Sequence, residues 1–193
     1  PIMKQRLRDW LLVLLPAALC RVFVYFIQHG QPVFQKYLFL AEHLTEAAHR
    51  PFYSSPVYTA LMAVLADKLK LTPDILRGGQ LILGLGTVLL VTETARFLSG
   101  RKEAIISGLT MGLASPFLVY ESDLVTASLV IAVQAVTVWL IITTLKQEKW
   151  VWFNWLVSGL FMGISIGIRP NAMLTLPILA LVLFLSRIHA KWR

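Results

Sequence analysis

The sequence predicts an all-α protein, a polytopic bundle of about six or seven transmembrane helices. Hydrophobic residues make up 57% of the chain and charged residues only 15%, and the mean hydropathy is +0.70. A soluble domain is roughly half apolar and a quarter charged. The apolar residues also cluster in runs long enough to cross a bilayer. The basic residues behind the net charge of +8 lie mainly at the ends of these runs, so they indicate membrane topology and not a nucleic-acid partner.

Seven apolar segments define the expected order of the bundle, within one transmembrane module that spans residues 1–193. They are Trp10–Ile27, Pro56–Leu69, Gly79–Leu98, Ala104–Val119, Leu124–Leu145, Trp152–Ile168 and Ala172–Leu185. The second and seventh are short, because a helix needs about 20 residues to cross a hydrocarbon core of ~30 Å. Ser55-Pro56 and Thr72-Pro73 each place an N-cap residue before a proline, which predicts two helix starts.

The basic residues give conflicting information about topology. The basic stretch at residues 4–8 predicts a cytoplasmic N-terminus and places the loop 28–55 outside. No small-residue cleavage site follows, so we expect the first segment to remain as a helix. The basic cluster at residues 96–102 also indicates the cytoplasm, which places Tyr120 outside. Three full crossings between the first outer loop and Tyr120 would instead place Tyr120 in the cytoplasm. Either one of those three segments does not cross completely, with the short segment Pro56–Leu69 as the first candidate, or one basic cluster is misassigned.

The first outer loop, residues 28–55, carries an amphipathic pattern. Apolar residues recur at helical spacing from Phe34 to Ala48, with polar and charged residues between them. We expect a helix that lies on the membrane surface or, alternatively, one that packs under a luminal domain. The histidines of this loop fit no compact metal motif, so we expect no metal site and no cofactor.

The run Arg169-Pro170-Asn171 interrupts two strongly apolar segments near the end of the chain. An arginine facing lipid costs at least ~2.5 kcal/mol, so it usually pairs with an anion or faces a polar cavity. Pro170 lacks an N–H and disfavours helical geometry at Arg169, so the helix ends there. Two interpretations remain open, namely a broken helix that lines a polar site and a short loop whose arginine lies among headgroups.

Two carboxylates, Glu121 and Asp123, fall on the same predicted outer face. A carboxylate at a membrane boundary can act as a general base, and an arginine can hold a phosphate by two parallel hydrogen bonds. This combination fits attack on a sugar joined to a lipid phosphate. The candidate residues are Asp123, Glu121 and Glu42 for catalysis, and Arg169, Asn171, Lys36, Arg50, Tyr53 and Tyr58 for substrate binding. Alternatively, Asp123 caps the next helix and Glu42 is simply solvated.

The order of several motifs resembles a known family. The matching stretches are Tyr37-Leu38-Phe39-Leu40-Ala41-Glu42, Pro51–Tyr58, Arg77 with the helix that ends at Ala95–Arg101, Ser115-Pro116 with Glu121-Ser122-Asp123, and Gly163–Ala172. Together they resemble the polyprenyl-phosphate-sugar-dependent membrane glycosyltransferases of family 39, which include protein mannosyltransferases and aminoarabinose transferases and have the GT-C fold. The resemblance implies that a sugar moves from an undecaprenyl- or dolichyl-phosphate carrier to a glycan, lipid or protein acceptor on the outer face. It also implies the N-terminal portion of a longer multi-pass protein, which we expect in a bacterial-type plasma membrane.

The resemblance further implies roles for individual residues. Asp123, with Glu121 beside it, matches an acidic position of the family, and the Arg-Pro-Asn turn matches a segment that faces the lipid-phosphate pocket. The family's other acidic residue, usually an aspartate just before Tyr37, has no counterpart in the stretch Gln31–Lys36. This departure supports a second hypothesis, an inactive relative or membrane scaffold that binds lipid-linked sugar. A transporter is a third hypothesis, although no second break of this kind occurs in the sequence.

Overall fold

The computed structural model describes residues 2–30, 55–146 and 151–181, and the regular elements in these ranges are all helical. They are α1 (Ile2–Gln28), α2 (Pro56–Met62) with a π-helical turn (Ala63–Lys68), α3 (Pro73–Ser99), α4 (Arg101–Leu113), α5 (Ser115–Ser122), α6 (Thr126–Lys146), α7 (Val151–Ile168) and a 3-10 turn (Pro170–Leu174) that continues as α-helix over residues 175–181. The predicted all-α class is confirmed. The interfacial helix predicted between Phe34 and Ala48 lies outside the described residues.

Local sequence signals set the starts of α2 and α3. The Ser55 hydroxyl accepts a hydrogen bond from the N–H of Tyr58 at 3.3 Å, and proline follows it at the first helical position. The Thr72 hydroxyl accepts from the N–H of Ile75 at 3.5 Å, again before a proline. Each side chain satisfies a backbone donor that the first helical turn leaves unpaired. Both predicted helix starts are confirmed.

The described part of the chain contains four helices that are long and apolar enough to cross a membrane, α1, α3, α6 and α7, and α4 with α5 can form a fifth span bent by 50°. The predicted apolar segment Ala104–Val119 is thus divided at Ser115-Pro116. Pro116 cannot donate to the carbonyl of Gly112, so the helical ladder breaks between α4 and α5. The segment Pro56–Ala66 is short. At 1.5 Å per residue it rises roughly 16 Å, about half of a hydrocarbon core.

One end of the bundle, called here the Asp123 end, joins the C-termini of α1 and α5 to the start of α3. A nitrogen of the Arg77 guanidinium, Nη1, donates to the Gln28 carbonyl at 2.6 Å, and Nε donates to the Ser122 carbonyl at 2.9 Å. The short helix α2 lies at this same end, because Val57 packs directly on Gly167 near the end of α7. The segment that contains α2 therefore begins and ends at the Asp123 end.

The opposite end, called the Asp9 end, joins the N-terminal part of α1 to the turn between α3 and α4. The Asp9 carboxylate is fully buried and pairs with Arg96 at 2.8 Å and Arg101 at 2.9 Å. The indole N–H of Trp10 donates to Glu93 at 2.6 Å. The basic N-terminus and the basic cluster at 96–102 thus share one end. This arrangement agrees with the interpretation in which the segment Pro56–Leu69 does not cross.

Small residues allow α4 to approach α1 closely. A Cβ at Gly108 would overlap the side chains of Val13 and Thr92, and a Cβ at Gly112 would overlap Ala17. Helices in lipid associate through such close packing, because the surrounding hydrocarbon supplies no hydrophobic driving force between them. The close contact brings the Gly112 carbonyl, near the C-terminus of α4, within reach of Arg21, which lies one turn after Ala17 on α1.

Candidate functional site

The turn between α5 and α6 presents the carboxylate of Asp123 at the Asp123 end. Asp123 ends α5 by donating its N–H to the Val119 carbonyl at 3.1 Å, and its side chain is half-buried. Within the described residues, this side chain makes no hydrogen bond or ion pair. The helix α6 begins at Thr126, two residues later than the predicted Leu124, so Asp123 lies too far upstream to act as its N-cap. The capping alternative for Asp123 is therefore not supported.

Glu121 has a different environment from Asp123, although the two are only two residues apart. Its carboxylate is buried and lies 2.7 Å from Nη2 of Arg21, itself only 2% exposed. The absence of a side chain at Gly84 provides the space, since a Cβ there would overlap the carboxyl group. Burial and the ion pair thus distinguish Glu121 from the half-buried Asp123.

Arg21 also satisfies a backbone carbonyl that the break between α4 and α5 leaves without its helical partner. Its Nη1 donates to the Gly112 carbonyl at 3.1 Å and to the Ala17 carbonyl at 3.2 Å. The Gly112 carbonyl would bond to the N–H four residues later in a continuous helix, but that residue is Pro116. An arginine within an apolar run is costly unless it is paired. Here one guanidinium both satisfies the freed carbonyl and neutralises Glu121.

Two further side chains hold the backbone on either side of Asp123. Arg77 donates to the Ser122 carbonyl, as described above, and to the carboxylate of Asp74 at 2.8 Å. The Tyr58 hydroxyl donates to the Leu124 carbonyl at 2.7 Å and accepts from the amide of Gln80 at 2.8 Å. Leu124 itself has a φ of 52°, a left-handed conformation that costs a non-glycine residue about 1–2 kcal/mol. The surrounding contacts therefore determine the shape of this turn.

The second half of the site is the break after α7. Arg169 leaves the helix with extended backbone angles, φ −147° and ψ 111°, and Pro170 starts the 3-10 turn. The Arg169 N–H donates to the Ser165 carbonyl at 2.9 Å, and its own carbonyl accepts from Ala172 at the same distance. The side chains of Arg169 and Asn171 are exposed and make no hydrogen bond or ion pair within the described part of the chain. The predicted break is confirmed, and the guanidinium is open to a ligand.

Asp123 and Arg169 lie beside the same buried apolar cluster. Leu124, the residue after Asp123, and Ile168, the residue before Arg169, both belong to this cluster together with Tyr58 and Ala172. The two elements that carry the carboxylate and the guanidinium are thus packed together at one end of the bundle. This arrangement can supply a base and an anion-binding group to one molecule held at the membrane boundary.

The other predicted site residues divide into two groups. Tyr58 is fully buried, and both its hydrogen-bond partners named above are internal, so its ring is not exposed to a sugar in this structure. Four candidates fall outside the described residues, namely Lys36, Glu42, Arg50 and Tyr53. Among the residues that are described, no group of three or more histidine, cysteine, aspartate or glutamate side chains could hold a metal ion.

The sequence reasoning did not assign roles to Arg21, Gln80 or Asp74. Arg21 gave a usable signal, since an arginine within an apolar segment requires a partner. Nothing in the sequence identifies Glu121 as that partner, because the two residues are 100 positions apart.

An apolar groove of about 400 Å³ lies between α3, α4 and α6, away from the Asp123 turn. Its lining contains Val91, Leu98, Met111, Ile131 and Val138, with Gln134 among the few polar side chains. None of its lining residues is titratable. The groove therefore offers a hydrocarbon-like surface and no reactive group.

A comparison with protein families finds a match over residues 49–193 to a family model described as dolichyl-phosphate-mannose-protein mannosyltransferase. The matched region includes α2 to α7, the Asp123 turn and the Arg169 break. No curated protein and no solved structure matches the chain.

Proposed function

The chain belongs to the dolichyl-phosphate-mannose-protein mannosyltransferase family, and we propose that it transfers a sugar from a polyprenyl-phosphate carrier to an acceptor at the Asp123 end of the bundle. The observation that carries this proposal is the packing of two elements around one apolar cluster. One element carries the carboxylate of Asp123 and the other the guanidinium of Arg169, and neither group has a partner among the described residues. Family membership makes the chain a multi-pass membrane protein of a glycosyltransferase class. Donor, acceptor and membrane face are part of the proposal.

Arg169 binds the phosphate of the carrier in this proposal. Its guanidinium presents a planar fork of donors that matches phosphate oxygens, and the site lies at a helix break where exposed polar groups are tolerated. Asn171 lies on the same 3-10 turn and can donate its side-chain amide to the phosphate or the sugar. Because the phosphate oxygen gains negative charge as its bond to the anomeric carbon breaks, a fixed cation beside it stabilises the transition state.

Asp123 acts as the general base in this proposal. The acceptor oxygen attacks the anomeric carbon of the sugar and its proton passes to the carboxylate, while the bond from that carbon to the phosphate oxygen breaks. The products are the glycosylated acceptor and the polyprenyl phosphate, which keeps the electron pair and remains bound to Arg169. A positioned base of this kind contributes about 10²–10⁴-fold to the rate. Glu121 cannot take this role while it pairs with Arg21.

Residues of the first outer loop complete the proposed donor site. Lys36 and Arg50 are weaker candidates for binding the phosphate. Tyr53 can stack against the sugar or the isoprenoid, and Glu42 is a candidate for a second catalytic acid. We place the protein in a bacterial-type plasma membrane, with the Asp123 end on the outer face. The basic residues of the Asp9 end favour this orientation.

The proposal is tested by separating binding from turnover in the full-length protein in lipid nanodiscs, with undecaprenyl-phosphate mannose and dolichyl-phosphate mannose as donors. Arg169→Ala is expected to weaken donor binding at least about 10-fold, since a charge-assisted bidentate pair is lost. Asp123→Asn is expected to bind donor normally and to lower kcat at least about 100-fold. Lys102→Ala, an exposed cation at the Asp9 end, is the matched control and should behave as wild type. Wild-type binding and turnover by Arg169→Ala would overturn the site assignment.

A second function, binding of lipid-linked sugar without transfer, is favoured by two observations. The stretch Gln31–Lys36 lacks the acidic residue that the resemblance implies, and Glu121 is occupied by Arg21. A wild-type protein that binds donor without consuming it would support this function. Gain of turnover in Gln35→Asp would then identify a lost catalytic residue, whereas no gain would favour a scaffold.

A further inference from the structure

We infer that Arg21, Arg77 and Tyr58 are positioning residues that fix the turn after α5 and thereby orient Asp123 toward the acceptor oxygen that it deprotonates. This inference rests on the function proposed above, in which Asp123 is the general base. It extends that function to three side chains that touch neither donor nor acceptor, and it gives Tyr58 a role other than sugar stacking.

The turn needs external support because its backbone is strained. α5 ends at Ser122 and α6 begins at Thr126, so the chain reverses within three residues. Leu124 adopts a positive φ within this reversal, a conformation that a leucine rarely takes. Such conformations persist only where surrounding contacts determine them, and they concentrate at functional sites. The contacts that hold this turn therefore determine how it presents the Asp123 carboxylate.

Three elements of the bundle each hold a different residue of the turn. From α1, Nη2 of Arg21 donates to the carboxylate of Glu121 at 2.7 Å. From α3, Arg77 donates to the carbonyl of Ser122 at 2.9 Å. From α2, Tyr58 donates to the carbonyl of Leu124 at 2.7 Å, and Gln80 in turn orients the hydroxyl. These supporting side chains are buried, so the hydrogen bonds are shielded from competing water.

Asp123 is the residue that these contacts leave free. Its neighbours at positions 121, 122 and 124 each have an internal partner through a side chain or a carbonyl, whereas the Asp123 carboxylate has none among the described residues. A general base gains its effect from a fixed geometry relative to the proton it removes, and an error of about 1 Å can cost roughly 100-fold in rate. Buried supports around one free carboxylate provide that fixed geometry.

The contacts could equally stabilise the fold alone, and the two roles predict different kinetics. A positioning residue acts through Asp123, so its removal lowers kcat but leaves donor binding intact. Its removal has no further effect once Asp123 is gone, because coupled residues are not additive. A residue that only stabilises the fold lowers the midpoint of unfolding without this dependence.

The experiment compares Tyr58→Phe with Trp10→Phe in the full-length protein in nanodiscs. Each change removes one hydrogen-bond donor carried by an aromatic side chain. Tyr58→Phe removes the hydroxyl that donates to the Leu124 carbonyl at the Asp123 end, and Trp10→Phe removes the indole N–H that donates to Glu93 at the Asp9 end. Tyr58→Phe keeps the ring, so loss of stacking cannot explain its effect. We expect Tyr58→Phe to lower kcat roughly 10- to 100-fold with donor KM within about twofold, and Trp10→Phe to keep wild-type kcat. Arg77→Lys, which keeps the charge but not the planar fork, should follow Tyr58→Phe.

The double variant Tyr58→Phe/Asp123→Asn decides the mechanism. The inference requires its residual rate to equal that of Asp123→Asn alone. If Asp123→Asn loses turnover but Tyr58→Phe keeps wild-type kcat, positioning is wrong and the proposed function stands. A further loss in the double variant also overturns positioning. If Asp123→Asn keeps turnover, the proposed function fails first and the inference fails with it.

Discussion

Nη2 of Arg21 lies 2.7 Å from Oε1 of Glu121, and both side chains are buried although they are 100 residues apart in the sequence. The pair joins α1 to the end of the broken span formed by α4 and α5. It also places a neutralised carboxylate two residues before the free carboxylate of Asp123. The stability of the bundle and the geometry of the candidate site therefore depend on the same contact.

Breaking this ion pair from one side should destabilise the protein strongly. Arg21→Ala leaves Glu121 buried and uncompensated and frees the Gly112 carbonyl, so we expect a loss of about 3–5 kcal/mol in the free energy of unfolding. Glu121→Gln keeps a hydrogen-bond acceptor and should cost less. Denaturant titration in mixed micelles measures both, with the exposed Arg6→Ala as control. An unchanged free energy for Arg21→Ala would contradict the packing described here.

The two glycines at the centre of α3 should respond in opposite ways to alanine. A Cβ at Gly84 would overlap the Glu121 carboxylate, and no atom lies within 4 Å of a Cβ built at Gly86. Gly84→Ala is expected to cost about 1–3 kcal/mol through overpacking. Gly86→Ala should be neutral or stabilising by up to about 1 kcal/mol, since alanine favours helix over glycine. Equal effects in thermal unfolding would show that Glu121 does not occupy the space beside Gly84.

At the Asp9 end, loss of Asp9 should destabilise the protein more than loss of its exposed partner Arg101. Asp9 is fully buried and Arg96 is 13% exposed, whereas Arg101 is 53% exposed. Asp9→Ala should cost roughly 3 kcal/mol, because it removes a fully buried acid and leaves the largely buried guanidinium of Arg96 with only Glu93, at 3.1 Å, as an anion. Arg101→Ala should cost no more than about 1 kcal/mol, as for other exposed ion pairs. The reverse order in unfolding experiments would contradict the burial of this cluster.

The position of α2 makes a direct prediction about topology. In a Cys20→Ser background, a membrane-impermeant maleimide should label His29→Cys and Lys70→Cys from one side of the membrane and Lys102→Cys from the other. The reason is that Pro56–Ala66 remains at the Asp123 end and α3 then crosses. Labelling of His29→Cys and Lys70→Cys from opposite sides would show that the segment crosses.

Features encoded by adjacent residues could be predicted from the sequence. Ser55-Pro56, Thr72-Pro73 and Arg169-Pro170 act through N-caps and the missing proline N–H, and each marks a helix boundary in the structure. Segment length singled out Pro56–Leu69 as the one that does not cross. Ser115-Pro116 likewise marks the break within the segment Ala104–Val119, since the proline lacks the N–H that would bond to the Gly112 carbonyl.

The pairings within the site could not be predicted from the sequence. Arg21 within an apolar run signals a hidden partner, but several carboxylates could supply it. Tyr58 reads as an exposed aromatic residue of an outer loop, and only the packing of α2 on α6 and α7 shows that it is buried. Contacts between residues far apart in the sequence depend on helix register and tilt, which composition and periodicity do not specify.

Turnover of undecaprenyl-phosphate mannose by Asp123→Asn in the full-length protein is the sharpest check of the proposed site. The substitution keeps the size and hydrogen-bonding shape of the side chain and removes only its ability to accept a proton as a carboxylate. We expect kcat to fall at least about 100-fold while donor affinity stays within about twofold of wild type. A variant that turns over donor at the wild-type rate would contradict the assignment of Asp123 as the general base.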